Sequence, residues 1–218
     1  MSLTEKIAVK IGNDAKLFLN IDRDKEQIII YGAINLLQII FAILWAVIAG
    51  LFFGVLYEVL IFSAIVSILR KYSGGVHASS PSRCIIIGTI LAVVGGLSID
   101  NIFYKLNIST VMLISIAIIT FAFIIIAQKA PVDSIKKPIT NIKMKNQFKK
   151  KSIIVLFIFS ALIIILYVLS IKYSELLYIK VIETIGFGIL WQTSTLTKNG
   201  ISFLNKVDFV LKYIIERK

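Results

Sequence analysis

The chain is written in blocks: long apolar runs alternate with short stretches that hold most of the charge. The runs fall at about 27–49, 51–69, 84–99, 109–127, 152–171 and 175–192. A helix needs about 20 apolar residues to cross the hydrocarbon core of a bilayer, and most of these runs come close to that length. Lipid offers no water to satisfy backbone polar groups, so unbroken apolar runs of this kind become helices. Composition agrees, with 58% hydrophobic residues against roughly 45–50% in soluble domains. The expected fold is all-α, a polytopic membrane helical bundle of about six spans forming one integral membrane domain over residues 1–218.

Charge decides how such a bundle sits. Lys and Arg outnumber Asp and Glu by 24 to 12. On a soluble surface that excess suggests nucleic acid; between apolar runs it is read as topology, because cytoplasmic loops collect Lys and Arg. With both termini inside, segments 1–26, 70–83, 128–151 and 193–218 hold 21 basic residues, and the outer side keeps Lys105, Lys172 and Lys180. The expected setting is a cell membrane, with the chain multi-pass, both termini and the stretch 70–84 cytoplasmic, and no nucleic acid partner. Residues 1–20 place Leu3, Ile7, Ile11, Ala15 and Phe18 on one stripe, with Lys6, Lys10 and Lys16 off it. Such a helix either lies in the lipid interface or packs on the bundle. The tail 193–218 is again amphipathic, through Leu204, Val207, Leu211 and Ile214. Gly88, Gly95 and Gly96 make the third run either a close-packing helix or one that does not cross fully.

Chemistry concentrates in residues 70–84, which hold the single histidine, His77, and the single cysteine, Cys84. One cysteine forms no internal disulfide. A thiolate is a nucleophile, and an imidazole can take its proton or pair with it. Ser80-Pro81 reads as a helix N-cap followed by proline at the first helical position, which puts Cys84 in a first turn where the dipole favours an anion. Arg70 and Arg83 add positive charge. On one continuous helix, positions 77 and 84 would lie roughly 10 Å apart, too far for proton transfer. Gly74-Gly75 and Pro81 therefore predict a bent loop. Against this stand the plainer readings: a lone cysteine as a packing residue and a lone histidine as a hydrogen-bonded loop residue. One His and one Cys make a poor metal set, so no metal and no cofactor are expected.

The pattern Arg70-x-x-x-Gly74-Gly75-x-His77, followed by Cys84, resembles the signature of the accessory gene regulator B family, membrane cysteine endopeptidases of bacterial quorum sensing. Chain length, the basic middle segment, and Ala130-Pro131 with Lys137-Pro138-Ile139 also fit. The resemblance implies Cys84 as nucleophile, His77 as its base, and Arg70, Gly74 and Gly75 as supporting residues. It implies a homodimer and a small propeptide substrate, accessory gene regulator D, with an amphipathic leader and an acidic tail. Cleavage ahead of that tail would leave an acyl-enzyme thioester, which a substrate cysteine or serine displaces to close a thiolactone or lactone ring.

The segment 128–151, read as a cytoplasmic loop, carries eight lysines against Asp133. Lys129, Lys136, Lys137, Lys143 and Lys145 are the candidates for holding an acidic tail, the alternative being topology alone. Glu58 and Glu183 fall inside apolar runs, where a carboxylate is costly. Lys180 and Glu183, one helical turn apart, are expected to pair. The competing functional classes are a non-enzymatic substrate-binding or transport subunit, indifferent to loss of Cys84, and a channel or proton-coupled carrier built on the two glutamates.

Overall fold

The computed structural model describes residues 3–76, 78–132 and 141–216. Among them the regular elements are helices α1 (Leu3–Leu19), α2 (Arg23–Phe52), α3 (Leu56–Ser73), α4 (Pro81–Asn101), α5 (Ile108–Lys129), α6 (Ile142–Tyr173), α7 (Leu176–Ser194) and α8 (Lys198–Glu216), with a 3-10 turn at Phe103–Lys105. The six apolar runs became α2 to α7. Residues 1–45 and 46–218 form two compact units.

In the first unit α1 lies against the start of α2. Its contact face is made of small residues: Ala8 is fully buried, and a Cβ on Gly12 would come within 2.2 Å of Ile30 Cγ1. Lys16 Nζ meets Glu26 Oε2 at 2.7 Å. The large apolar residues point away, with Leu17 and Phe18 81% and 89% exposed. The packing reading of this helix holds against α2, through a small-residue face that leaves the bulky stripe exposed.

In the second unit α7 is the central post, with α3, α4, α5 and α6 packed around it. Ile182, Ile185 and Ile189 are buried at almost every turn. Close approach depends on small residues: Gly188 faces Ile65, Gly95 faces Phe187, and Gly96 faces Val55. Among the described residues four helical segments are long and apolar enough to cross a bilayer: Arg23–Phe52, Pro81–Lys105, Ile108–Lys129 and Ile142–Tyr173. The two other helices of the six, α3 and α7, carry the charges Glu58, Arg70 and Lys71, and Lys180 and Glu183. They also make the most extensive helix pair, so protein rather than lipid covers much of their surface.

Three boundaries differ from the sequence reading. The first hairpin turns at residues 53–55 rather than at Gly50, because α2 continues to Phe52 and Gly54 (φ +72°) makes the bend. The third run forms a full helix of 21 residues, within a segment long and apolar enough to cross a bilayer. The basic segment 128–151 is helical at both ends: Lys129 ends α5, and Lys143 to Lys151 lie in the first turns of α6. Asn141 starts α6 by accepting the Lys143 N–H at 2.8 Å. Lysine is a good helix former, and its long stem carries the charge clear of the apolar face, so a run of lysines extends a helix readily.

Candidate active site

The site is built where α3 ends, α4 begins, and α7 and α8 meet between them. Helix α3 stops because Gly74 (φ +68°, ψ −148°) takes a conformation closed to residues with a side chain. Gly75 follows at φ +127°. Together they turn the chain to run beside the residues after α5: Val132 N–H donates to Ser73 O at 2.9 Å, and Gly75 N–H donates to Val132 O at 3.2 Å. A Cβ on Gly74 would lie 2.1 Å from Val132 O, and one on Gly75 2.9 Å from Thr195 Oγ1. The two motif glycines are thus fixed by geometry, and the expected bent loop is present in the described residues.

Gln192, fully buried near the end of α7, braces the turn. Its Nε2 donates to Gly74 O at 2.8 Å and to Ser73 Oγ at 3.0 Å. Arg70 reaches forward from the last turn of α3, and its Nη2 donates to the carbonyl of Val76. It also interacts electrostatically with Cys84. Its Nε is buried with no partner among the described residues. The motif arginine therefore does two things: it holds the peptide just ahead of position 77 and places its positive charge in range of the thiol.

Helix α4 starts as the sequence indicates, with Pro81 at its first position and Ser80 at the cap. Ser80 makes no side-chain cap bond; its carbonyl accepts the first helical N–H, that of Cys84, at 3.0 Å. Cys84 thus stands in the first turn of α4. It is half-buried, an accessible thiol rather than a core-packing one.

Arg83 departs from its expected part. Its Nε donates to Asp208 Oδ1 of α8 at 2.8 Å, so a carboxylate pairs with its charge. Asp208 Oδ2 accepts from Ser79 N–H at 3.1 Å and from Ser79 Oγ, while Arg83 Nη2 donates to Ser79 Oγ. Burial works against the charged form of Asp208, yet the hydrogen bonds from Ser79 and Arg83 hold it below the usual carboxylate range.

His77, Lys136 and Lys137 lie outside the described residues. Lys143 and Lys145 are exposed on α6. The basic segment nevertheless touches the site at both ends, through Val132 against Gly74 and through Lys151 Nζ, 5.9 Å from the Tyr72 ring centre. At the other end of the bundle Lys180 pairs with Asp100 rather than with Glu183. Both carboxylate oxygens of Glu183 are buried without a partner, beside a cavity of about 300 Å³ lined by Ile99, Phe103, Leu106, Ser115 and Phe187.

Comparison with known proteins agrees with the motif. A family model described as accessory gene regulator B matches residues 4–196. The chain belongs to the accessory gene regulator B family. It is 36% identical over 208 residues to an AgrB-like protein 2 of Clostridium perfringens strain 13, with 95% of each chain covered. An AgrB-like protein of Clostridium perfringens strain SM101 is 35% identical over the same length and coverage. No solved structure matches the chain. Membership of the family makes this a membrane accessory protein of quorum sensing.

Two residues that hold the site escaped the sequence reading. Gln192 had a signal, since an amide in the last turn of an apolar helix requires a partner. Asp208 had a weaker one, as one of two acids, with Glu216, on a tail helix otherwise marked by Lys198, Lys206 and Lys212.

Proposed function

We propose that the chain is a membrane cysteine endopeptidase that removes the acidic tail of a small propeptide and hands the rest on as a thioester. Cys84 is the nucleophile and His77 its base. The thiolate attacks the carbonyl ahead of the tail; the departing amine takes a proton from the His77 imidazolium; the acyl group stays on sulfur. A thiol or hydroxyl within the substrate then displaces Cys84, closing the ring without water and returning the enzyme thiol. A site lodged between helix ends keeps the thioester from bulk solvent.

The observation that carries this reading is the bracing of the motif loop. Val76 is held by Arg70 and Ser79 by Asp208, so only two residues separate the anchors on either side of His77. Ser80 in turn bonds the Cys84 backbone. The contact of Val132 with Gly74 supports the lysines around it as the holders of an acidic tail. Positive charge on this face supports a cytoplasmic site, and the resemblance implies a homodimer.

The test is cleavage of a co-expressed propeptide. Cys84→Ser and His77→Ala are each expected to abolish it while the chain still inserts in the membrane. Normal cleavage in either variant sinks the proposal. The Glu183 cavity favours one other reading, a substrate-binding subunit, for which Cys84→Ser would change nothing.

A further inference from the structure

We infer that Asp208 is a positioning residue for the catalytic loop: from α8 it clamps Ser79 and Arg83 and so fixes the backbone that carries His77 and Cys84. The inference deepens the peptidase reading and rests on it for its catalytic meaning.

The clamp brackets the site. Ser79 is two residues after His77, and Arg83 immediately precedes Cys84. Asp208 binds both with different oxygens, Oδ2 taking Ser79 N–H and Oγ and Oδ1 taking Arg83 Nε. The bond from Arg83 Nη2 to Ser79 Oγ closes the triangle. Such a three-cornered arrangement fixes a turn far better than a single contact, since moving any member breaks two bonds. Its ion pair is sheltered, with side-chain exposures of 9% for Arg83 and 14% for Asp208, while Ser79 stands exposed at the third corner. Sheltered charge pairs differ from surface ones in that removing one partner strands the other charge.

The contact is long-range. Ser79 and Asp208 are 129 residues apart in sequence, and α8 lies beyond residue 196, where the family match ends. The helix is otherwise amphipathic, with Phe203, Phe209, Val210 and Ile214 exposed and lysines at 198, 206 and 212, as suits the membrane surface. This polar tie to the motif joins a surface helix to the loop that holds the reacting groups, and it pairs the charge of Arg83 with a carboxylate.

The experiment uses the full chain in membranes with a co-expressed propeptide and reads two quantities. One is the kinetics of cleavage. The other is the alkylation rate of Cys84 by iodoacetamide, unambiguous because the chain has one cysteine. Asp208→Asn keeps the shape and removes the charge. It is expected to lower kcat by about 10- to 100-fold, the cost of a misplaced catalytic group, with KM within about threefold. The alkylation rate should change in the same variant, and Asp208→Glu should return both readings toward the native values. Arg83→Ala combined with Asp208→Asn should be no worse than Asp208→Asn alone, as expected of residues acting as one unit. Unchanged kcat and alkylation in Asp208→Asn overturn the inference. So does a loss that Asp208→Glu fails to restore, or one that adds fully to that of Arg83→Ala. Should native chain cleave no propeptide while Asp208→Asn still alters Cys84 alkylation, the peptidase reading fails and the clamp stands.

Discussion

Two polar side chains of helix α7, Gln192 and Glu183, meet different fates. Near its end Gln192 is fully buried and donates two hydrogen bonds to the turn at Ser73 and Gly74. Nine residues earlier, about 13 Å along the axis, Glu183 is stranded beside an apolar cavity with both oxygens unpartnered. An amide inside a membrane protein is tolerable once its donors are used, and here they lock a loop in one shape. A carboxylate without donors contributes no such order and is costly in lipid. The comparison teaches that polarity inside the bundle marks structure only where partners complete it. By that measure the amide donors at the motif end of α7 are used, although Gln192 Oε1 and Thr193 Oγ1 there make no hydrogen bond among the described residues, and at the other end neither carboxylate oxygen of Glu183 makes one.

The strongest way to break the comparison lies at Gly74. Gly74→Ala would force a side chain into a conformation costing about 1–3 kcal/mol, with its Cβ 2.1 Å from Val132 O. The turn cannot keep both that backbone and its pairing with Val132, so propeptide cleavage should fall by more than about 100-fold while the chain remains in the membrane. Near-native cleavage would show that the turn does not hold the site.

Gln192→Leu should come next. It removes both bonds and leaves the Gly74 carbonyl buried without its side-chain donor, a loss of about 1–3 kcal/mol. Cleavage should drop about tenfold, and the thermal unfolding midpoint in detergent should fall. If neither moves, the bracing by α7 is incidental.

The smallest effect is expected at the other end. Glu183→Gln keeps the shape and removes a charge that no donor satisfies, so cleavage should stay within about twofold, and the unfolding midpoint should hold or rise. A clear fall in activity would show that Glu183 has a partner in the working enzyme and would erase the contrast between the two ends.

Much of the site was legible before the fold was known, and the reasons are local. Pro81 following Ser80 starts a helix wherever it falls, since proline's missing N–H is no loss in a first turn. Gly74-Gly75 permits a backbone that other residues avoid, and the structure uses it. The lysines from 143 to 151 were misread as loop because charge density was taken for irregularity, whereas a lysine-rich segment capped by Asn141 is a good helix. Arg83 was misread because proximity in sequence to Cys84 says nothing about a carboxylate arriving from α8. The pairing of Lys180 with Glu183 failed in the same way, as Asp100 came from another helix.

What the sequence by itself determined is the set of helices and the bend between the third and fourth of them. In lipid, backbone hydrogen bonds must close within each apolar run, so each run settles its own conformation. Only the tertiary structure decided which polar groups met: Gly74 with Val132, Gln192 with Gly74, and Asp208 with Ser79 and Arg83. Those pairs join residues scores of positions apart, and their geometry follows from how helices pack against one another, which no local pattern encodes.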